Sequence, residues 1–384
     1  MEIHRAGWVL VDPERILANG YVLVEDGVIR EAGLTPARPG SGTNVVDHGP
    51  GVIMPGLVNA HVHLELTAFR GAIPFTGGFQ SWVRDLLIQR DAAGRDHLET
   101  MAGYGAAELL STGTLVAGEI STLGITQDGF SASGLSGVWF QELLGSHLPE
   151  TGLPLRDPKS RIHLSLAGHA PHSTSPQLLG EIKDATRHKS LPMSIHVAES
   201  GAESEFIRTG TGPWADFLEE RGIVVSDWPV PSPSPVQYLH KLNLLDPLTL
   251  AVHLLDVDAR DLDILDRTGT RLVACPRSNL NLHGRLPDIP GFLARGLKPA
   301  LGTDSLASND SLSLFDEMAF VASRYAGIRP ADILAMATGY GSRALGMEGH
   351  AGSLAPGRQA SFIYLPIQAA SPEALLERII RYDN

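Results

Sequence analysis

From Gly51 to about residue 350, short apolar runs alternate with longer segments of helical character, and nothing else in the sequence restricts the fold so strongly. The runs read GVIMPGLVNAHVH, TLVAGEI, SGVWFQELLG, RIHLSLAGHAP, LPMSIHVAES, LTLAVHLL, RLVACPRSN and LKPALGTDS. Between them lie stretches such as HLETMAGYGAAELLSTG, SPQLLGEIKDATRHK and ARDLDILDRTG, with Ser, Asp or Pro near the start and Gly near the end. Those residues open and close helices. Eight strand candidates in βα order predict an α/β fold, an eight-stranded parallel (β/α)8 TIM barrel in place of an open sheet.

The two ends follow another rule. GWVLV, YVLVEDGVIREAG and NVVDHG read as short strands, and Asp26-Gly27 between apolar stretches is a strong hairpin signal. Near Ala351 the helical pattern stops, and SLAPGRQASFIYLP reads as turn and strand again. The expectation is a small discontinuous β-sandwich domain made of residues 1–52 and 351–384, with the barrel over 53–350. SDWPVPSPSPVQ reads as an ordered loop after the fifth strand, near the mouth of a pocket.

Composition removes several classes of function. A formal net charge of -13 argues against a nucleic-acid partner, because phosphate binding needs clustered Lys and Arg. The single cysteine, Cys275, excludes an intrachain disulfide and a cysteine-based zinc cluster, and fits a reducing compartment. It reads as an inert residue of the barrel wall. The N-terminus lacks the apolar core of a signal peptide, and no apolar run approaches the roughly 20 residues of a membrane helix. The expectation is a cytoplasmic protein with a small-molecule partner, as monomer or homodimer.

Chemistry concentrates at the carboxyl ends of the strand candidates, where barrels of this kind keep their active sites. His61 and His63 stand two apart in one strand, so both imidazoles share a face and can reach one ion. His196 ends LPMSIH, His253 ends TLAVH and Asp304 ends KPALGTD. Four strands each delivering a ligand-type residue to one rim are hard to explain as unrelated core or surface residues.

These motifs resemble the amidohydrolase superfamily, and within it the branch of adenosine-type, S-adenosylhomocysteine and aminodeoxyfutalosine deaminases, guanine deaminase and triazine hydrolases. The supporting strings, in family order, are PGLVNAHVHLEL, HAPHSTS, IHVAES, VHLLD, CPRSNLNL and LGTDSLASND. The resemblance covers essentially the whole chain. It implies that His61, His63, His196 and Asp304 bind one divalent metal, zinc or else iron(II). The fourth strand has no lysine to bridge a second ion. The resemblance further implies that Glu199 moves protons between water and a substrate ring nitrogen, and that His253 and Asp304 assist. By the same analogy His172 contacts substrate.

Other positions keep two readings. Glu65 either hydrogen-bonds substrate or orients a ligand imidazole. Phe79 and Trp82 either cover the pocket or belong to an ordinary amphipathic helix. Arg277, Ser278 and Asn279 are expected at the pocket floor, and His283 is undecided. Glu203 and Glu205 read as helix-start acids and His169 as structural. His97, His147, His188, His240 and His350 read as surface or packing residues. LPMSIHVAES followed by GTGPW, with HVHLEL, most resembles aminodeoxyfutalosine deaminases of menaquinone biosynthesis. Such a substrate carries a carboxylate at its 5′ end, which Arg277, Arg70 or Arg84 would receive. The alternatives are a related C–N or C–Cl hydrolase, such as guanine deaminase or a triazine chlorohydrolase, or a non-catalytic barrel that serves in binding or assembly.

Overall fold

The computed structural model describes residues 1–34, 42–146, 148, 161–223, 225 and 228–383. The eight apolar runs form eight parallel strand positions: Leu57–His63, Thr114–Ser121, Ser136–Leu143, Ile162–Gly168, Met193–Val197, Thr249–His253, Arg271–Ala274, and a last one in two pieces, Ala300–Leu301 and Asp304–Ser305. The broken eighth strand closes the barrel. Its first piece pairs with the seventh strand and its second with the first, through Asp304–Val62 and Ser305–His63. Gly302 lies in the break, where a Cβ would come within 2.8 Å of the His61 Cβ. A side chain there would push the last strand off the first.

The barrel strands are buried along almost their whole length, as strands covered on both faces must be. The helices between them begin and end where the sequence signals stand. Ser175 accepts the Leu178 N–H ahead of the helix Pro176–His188. Asp258 and Asp261 form a reciprocal capping box ahead of Ala259–Thr268, which ends on Gly269 in the left-handed region.

The terminal segments form two four-stranded sheets. One contains Glu2–Arg5, Tyr21–Glu25, Val28–Gly33 and Asn44–Asp47; the other contains Trp8–Asp12, Arg15–Ala18, Val52–Pro55 and Phe362–Leu365. Val9, Val22, Ile29, Ile53 and Leu354 pack between them. Asp26 and Gly27 both have positive φ and turn the expected hairpin. Phe362–Leu365 pairs with Val52–Pro55, so the chain's two ends meet in one sheet.

Three features differ from the expectation. Residue 52 falls inside the strand Val52–Pro55, so the small sheet reaches at least to Pro55. After Phe362–Leu365 the chain forms a helix, Pro372–Ile379, whose Leu375 and Ile379 pack with Ile333 and Leu334 of the barrel's outer layer. The described residues of the Pro/Ser loop do not line the cavity; Trp228 donates its indole N–H to the Pro171 carbonyl (2.8 Å). Ser226 and Asp227 of that loop, and His147, lie outside the described residues. Among the described residues no helix is long and apolar enough to cross a membrane.

Candidate active site

The carboxyl ends of the first, fifth and eighth strands bring His61, His63, His196 and Asp304 together. The three Nε2 atoms lie 3.2, 3.3 and 3.4 Å apart, and all three rings are buried. Ligands of a tetrahedral ion at about 2.0–2.1 Å stand about 3.3 Å apart, so this spacing fits a first-row divalent metal. Three lone pairs converging in a dry site would otherwise repel one another. Asp304 Oδ1 lies 3.9 and 3.8 Å from the Nε2 atoms of His61 and His63. Its Oδ2 accepts from the Ser278 and Ser308 hydroxyls (2.5 and 3.1 Å), which turns the other oxygen toward the histidines.

His196 Nδ1 donates to the His169 carbonyl (2.8 Å), which leaves its Nε2 lone pair facing His61 and His63. That bond also separates two possible metal groups. Glu142, His169 and His196 form a second cluster within ligand distance, but the atom His196 presents to it already carries a proton. Burial, and then the neighbouring imidazoles, push the His61 pKa well below its ordinary value, so the ring is neutral and able to ligate.

Glu199 stands beside this cluster, with Oε1 3.2 Å from His283 Nε2 and 3.8 Å from His253 Nε2. Burial pushes its carboxyl up, but the imidazoles of His253 and His283 outweigh that and hold it below the usual carboxylate range. His253 is pushed down to about 4, chiefly by burial. The Asn279 amide lies 3.0 Å from His253 Nδ1. An N–H donated there leaves the ring proton on Nε2, the atom facing Glu199.

The sequence reading missed the group that holds Glu199 in place. Glu203 is fully buried, and its two oxygens accept the backbone N–H groups of Ala198 and Glu199 at 2.9 Å each. Ala198 has φ of +53° there, a conformation that costs an alanine about 1–3 kcal/mol without support. Glu203 is thus a clamp on the bend that carries Glu199. Its one sequence signal was its place in the first turn of the helix Gly201–Thr209, which many acids share.

A cavity of about 470 Å³ opens above the cluster, lined in part by His63, Glu65, Trp82, His172, His196, Glu199, His253 and Asp304. His172 stacks on Trp214 (4.3 Å), and among the described residues neither ring nitrogen has a partner. Burial takes its pKa down to about 3. Trp82 and Phe79 both line the cavity, and the Phe79 ring lies 4.6 Å from His283. Glu65 stands on a 3-10 turn, because the first strand ends at His63. Its carboxylate faces the cavity but accepts from Ser121 Oγ (2.8 Å) and the N–H groups of Thr122 and Leu123 (3.0 and 3.1 Å), and orients no ligand imidazole.

The arginines are the clear correction. Arg277 does not line the cavity; it pairs with Asp310 and points toward Asp316, because the helix Pro276–His283 presents its buried face at Ser278 and Asn279 instead. Arg70 pairs with Glu108 and Arg84 with Glu220 (2.6 Å), both outside the lining. Among the described residues, the arginines that line the cavity are Arg90 and Arg221.

The chain is similar to proteins of known family and fold. A sequence model of the amidohydrolase family matches residues 155–378. The chain is 31% identical over 387 residues to a 5-methylthioadenosine/S-adenosylhomocysteine deaminase of Syntrophobacter fumaroxidans, covering 93% of this chain and 82% of that protein. It is 34% identical over 319 residues to an aminodeoxyfutalosine deaminase of Deinococcus radiodurans, covering 77% of this chain and 73% of that one. In fold it resembles the Helicobacter pylori aminofutalosine deaminase solved with methylthio-coformycin: TM-score 0.86 and 23% identity, over 99% of this chain and 96% of that one.

Proposed function

The chain belongs to the amidohydrolase family, and on that premise we propose that it is a metal-dependent deaminase of adenosine-like nucleosides, with aminodeoxyfutalosine as the first candidate substrate. The observation that carries this reading is the position of Glu199. A buried carboxylate sits between His253 and His283, beside three converging imidazoles, at the floor of a cavity large enough for a nucleoside. The choice among nucleosides rests on the likeness to the relative from D. radiodurans.

His61, His63, His196 and Asp304 would hold the metal, and the all-nitrogen-and-oxygen donor set favours zinc over softer ions. When bound, such an ion supplies Lewis acidity that lowers the pKa of water from about 15.7 toward about 7. In the reaction, water adds to the ring carbon bearing the amino group. The C–N bond then breaks, ammonia leaves and a ring carbonyl remains. Glu199 enters ionised, so it first accepts the proton that water gives up and then delivers it to the adjacent ring nitrogen. His253, neutral with its proton on Nε2, donates a hydrogen bond into the same space, and Asp304 Oδ1, beside the histidine cluster, would accept the second proton on its way to ammonia. His172, whose two ring nitrogens have no partner among the described residues, is a hydrogen-bonding group for the base or sugar.

The test is ammonia release from a panel of nucleosides, free bases and chlorotriazines by zinc-loaded protein. Turnover of aminodeoxyfutalosine, adenosine or 5′-thioadenosines well above guanine or a chlorotriazine is the expected result. Turnover of guanine or a triazine alone would overturn the nucleoside reading and leave the metal chemistry standing.

A further inference from the structure

One short helix touches each of the three groups that the proposed reaction uses to move protons. Pro276–His283 follows the seventh strand and ends on Gly284 in the left-handed region. Its Ser278 hydroxyl donates to Asp304 Oδ2 (2.5 Å), its Asn279 amide lies 3.0 Å from His253 Nδ1, and its His283 Nε2 lies 3.2 Å from Glu199 Oε1. Asn279 and His283 stand four residues apart and so share a helical face. Asp304, His253 and Glu199 come from the ends of three different strands, whose ladders set the backbones but not the side-chain angles. The helix supplies a partner to each.

Glu199 has the most freedom to lose. Glu203 fixes its backbone N–H, but three rotatable bonds separate that point from the carboxylate. An ionised carboxylate only accepts, so the bond to His283 is donated by the imidazole. His253 Nε2, 3.8 Å from the same oxygen, is too distant for a hydrogen bond. Both rings approach Oε1, and among the described residues no group donates to Oε2. The other titratable groups around Glu199 are His196, His169, His172, Glu203 and Cys275, and among the described residues none is hydrogen-bonded to its carboxylate. The His283 side chain is only 7% exposed, and the Phe79 ring packs against it at 4.6 Å.

On the deaminase reading above, we infer that His283 is a positioning residue: it locks Oε1 of Glu199, so that Oε2 is the oxygen that takes the proton from water and passes it to the ring nitrogen. Rotation about the last side-chain bond would otherwise exchange the two oxygens and turn a loaded proton away from the substrate. A donated N–H also favours the ionised carboxylate, the form in which Glu199 must start. Without that donor the carboxyl holds its proton to a higher pH, so activity on the acid side falls away earlier as pH drops.

The test compares His283→Asn with His283→Gln in zinc-loaded enzyme, reading ammonia release from aminodeoxyfutalosine, adenosine and 5′-methylthioadenosine across pH. The glutamine amide reaches the position of the imidazole Nε2, whereas the asparagine amide, one carbon shorter, stops short of Oε1. Metal content should match the wild type in both. In His283→Asn kcat should fall about tenfold and the acid limb of its pH profile should move upward, while His283→Gln should stay within about threefold of wild type and keep its acid limb. An acid limb that does not move in His283→Asn, or equal losses in the two variants, overturns the inference and leaves the deaminase reading standing. Ammonia from none of the three nucleosides with the wild type overturns the deaminase reading and the inference with it.

Discussion

The floor and the walls of the cavity are built by different rules. The floor consists of strand ends, where His61, His63, His196, His253 and Asp304 are polar, buried and aimed at one another. The walls consist of helix faces, where Trp82, Leu86, Trp214 and Phe217 are apolar and also packed in the core. A buried imidazole at a strand end has few structural reasons to exist, so its pattern reports chemistry. An apolar helix stripe has a packing reason in any fold, so it says nothing about substrate until its partner is known.

The floor also holds backbone that packing alone would not choose. Ala198, His253, Leu254 and Asp304 have φ of +53°, +80°, +53° and +58°, all at the ends of the fifth, sixth and eighth strands. Such conformations persist only where neighbours over-determine them. In the walls, the non-glycine residues of the helices Phe79–Ala93 and Pro213–Glu220 keep ordinary helical backbone.

Four substitutions test whether floor and walls differ as described. The largest effect belongs to His196→Ala, which removes one of three converging ring nitrogens. Metal content should drop well below one ion per chain, and kcat/KM should fall at least about 10³-fold, since Lewis acidity contributes several kcal/mol. One tightly held ion per chain in this variant would mean that the centre lies elsewhere.

Next is Glu199→Gln, which keeps the shape of the side chain and removes its basicity. Its kcat should fall at least about 10²-fold while metal content stays at the wild-type level. Near-normal turnover would reduce Glu199 to a residue of the helix start.

Glu203→Gln probes the clamp. An amide offers one oxygen where two backbone N–H groups need acceptors, so one is left opposite an NH₂ group. A roughly tenfold fall in kcat, with metal content and KM close to wild type and partial recovery in Glu203→Asp, is the expected pattern. A change in thermal stability with unaltered kcat would show that the clamp supports the fold and not the position of Glu199.

The smallest effect is assigned to Arg277→Gln. Its guanidinium is directed to Asp310 and Asp316 outside the cavity, so kcat/KM for an acidic nucleoside should stay within about twofold. A large rise in KM for the acid alone would show that Arg277 reaches the substrate.

The order of the barrel strands, the hairpin at Asp26-Gly27 and the five chemical residues of the floor were all legible in the sequence. Those signals are local. Strand length, turn residues and the two-residue spacing of His61 and His63 follow from backbone geometry within a few positions. Glu203 was legible only as a helix-start acid, because nothing nearby in sequence says that its carboxylate folds back onto Ala198 and Glu199. The C-terminal helix Pro372–Ile379 fell inside the segment 351–384 assigned to the β domain and was not singled out, although Ser371 and Pro372 open it in the usual way.

Which arginine faces the cavity was decided by tertiary structure alone. Arg70, Arg84, Arg90, Arg221 and Arg277 are equivalent as letters, and local pattern cannot separate them. Arg84 is turned outward by its ion pair with Glu220, and Arg277 by Asp310. Arg90 and Arg221 reach the cavity because Phe79 meets Trp214, a contact between residues 135 positions apart, and so sets the two helices side by side. Periodicity fixes which residues of a helix share a face; only packing against a distant partner fixes what that face looks at.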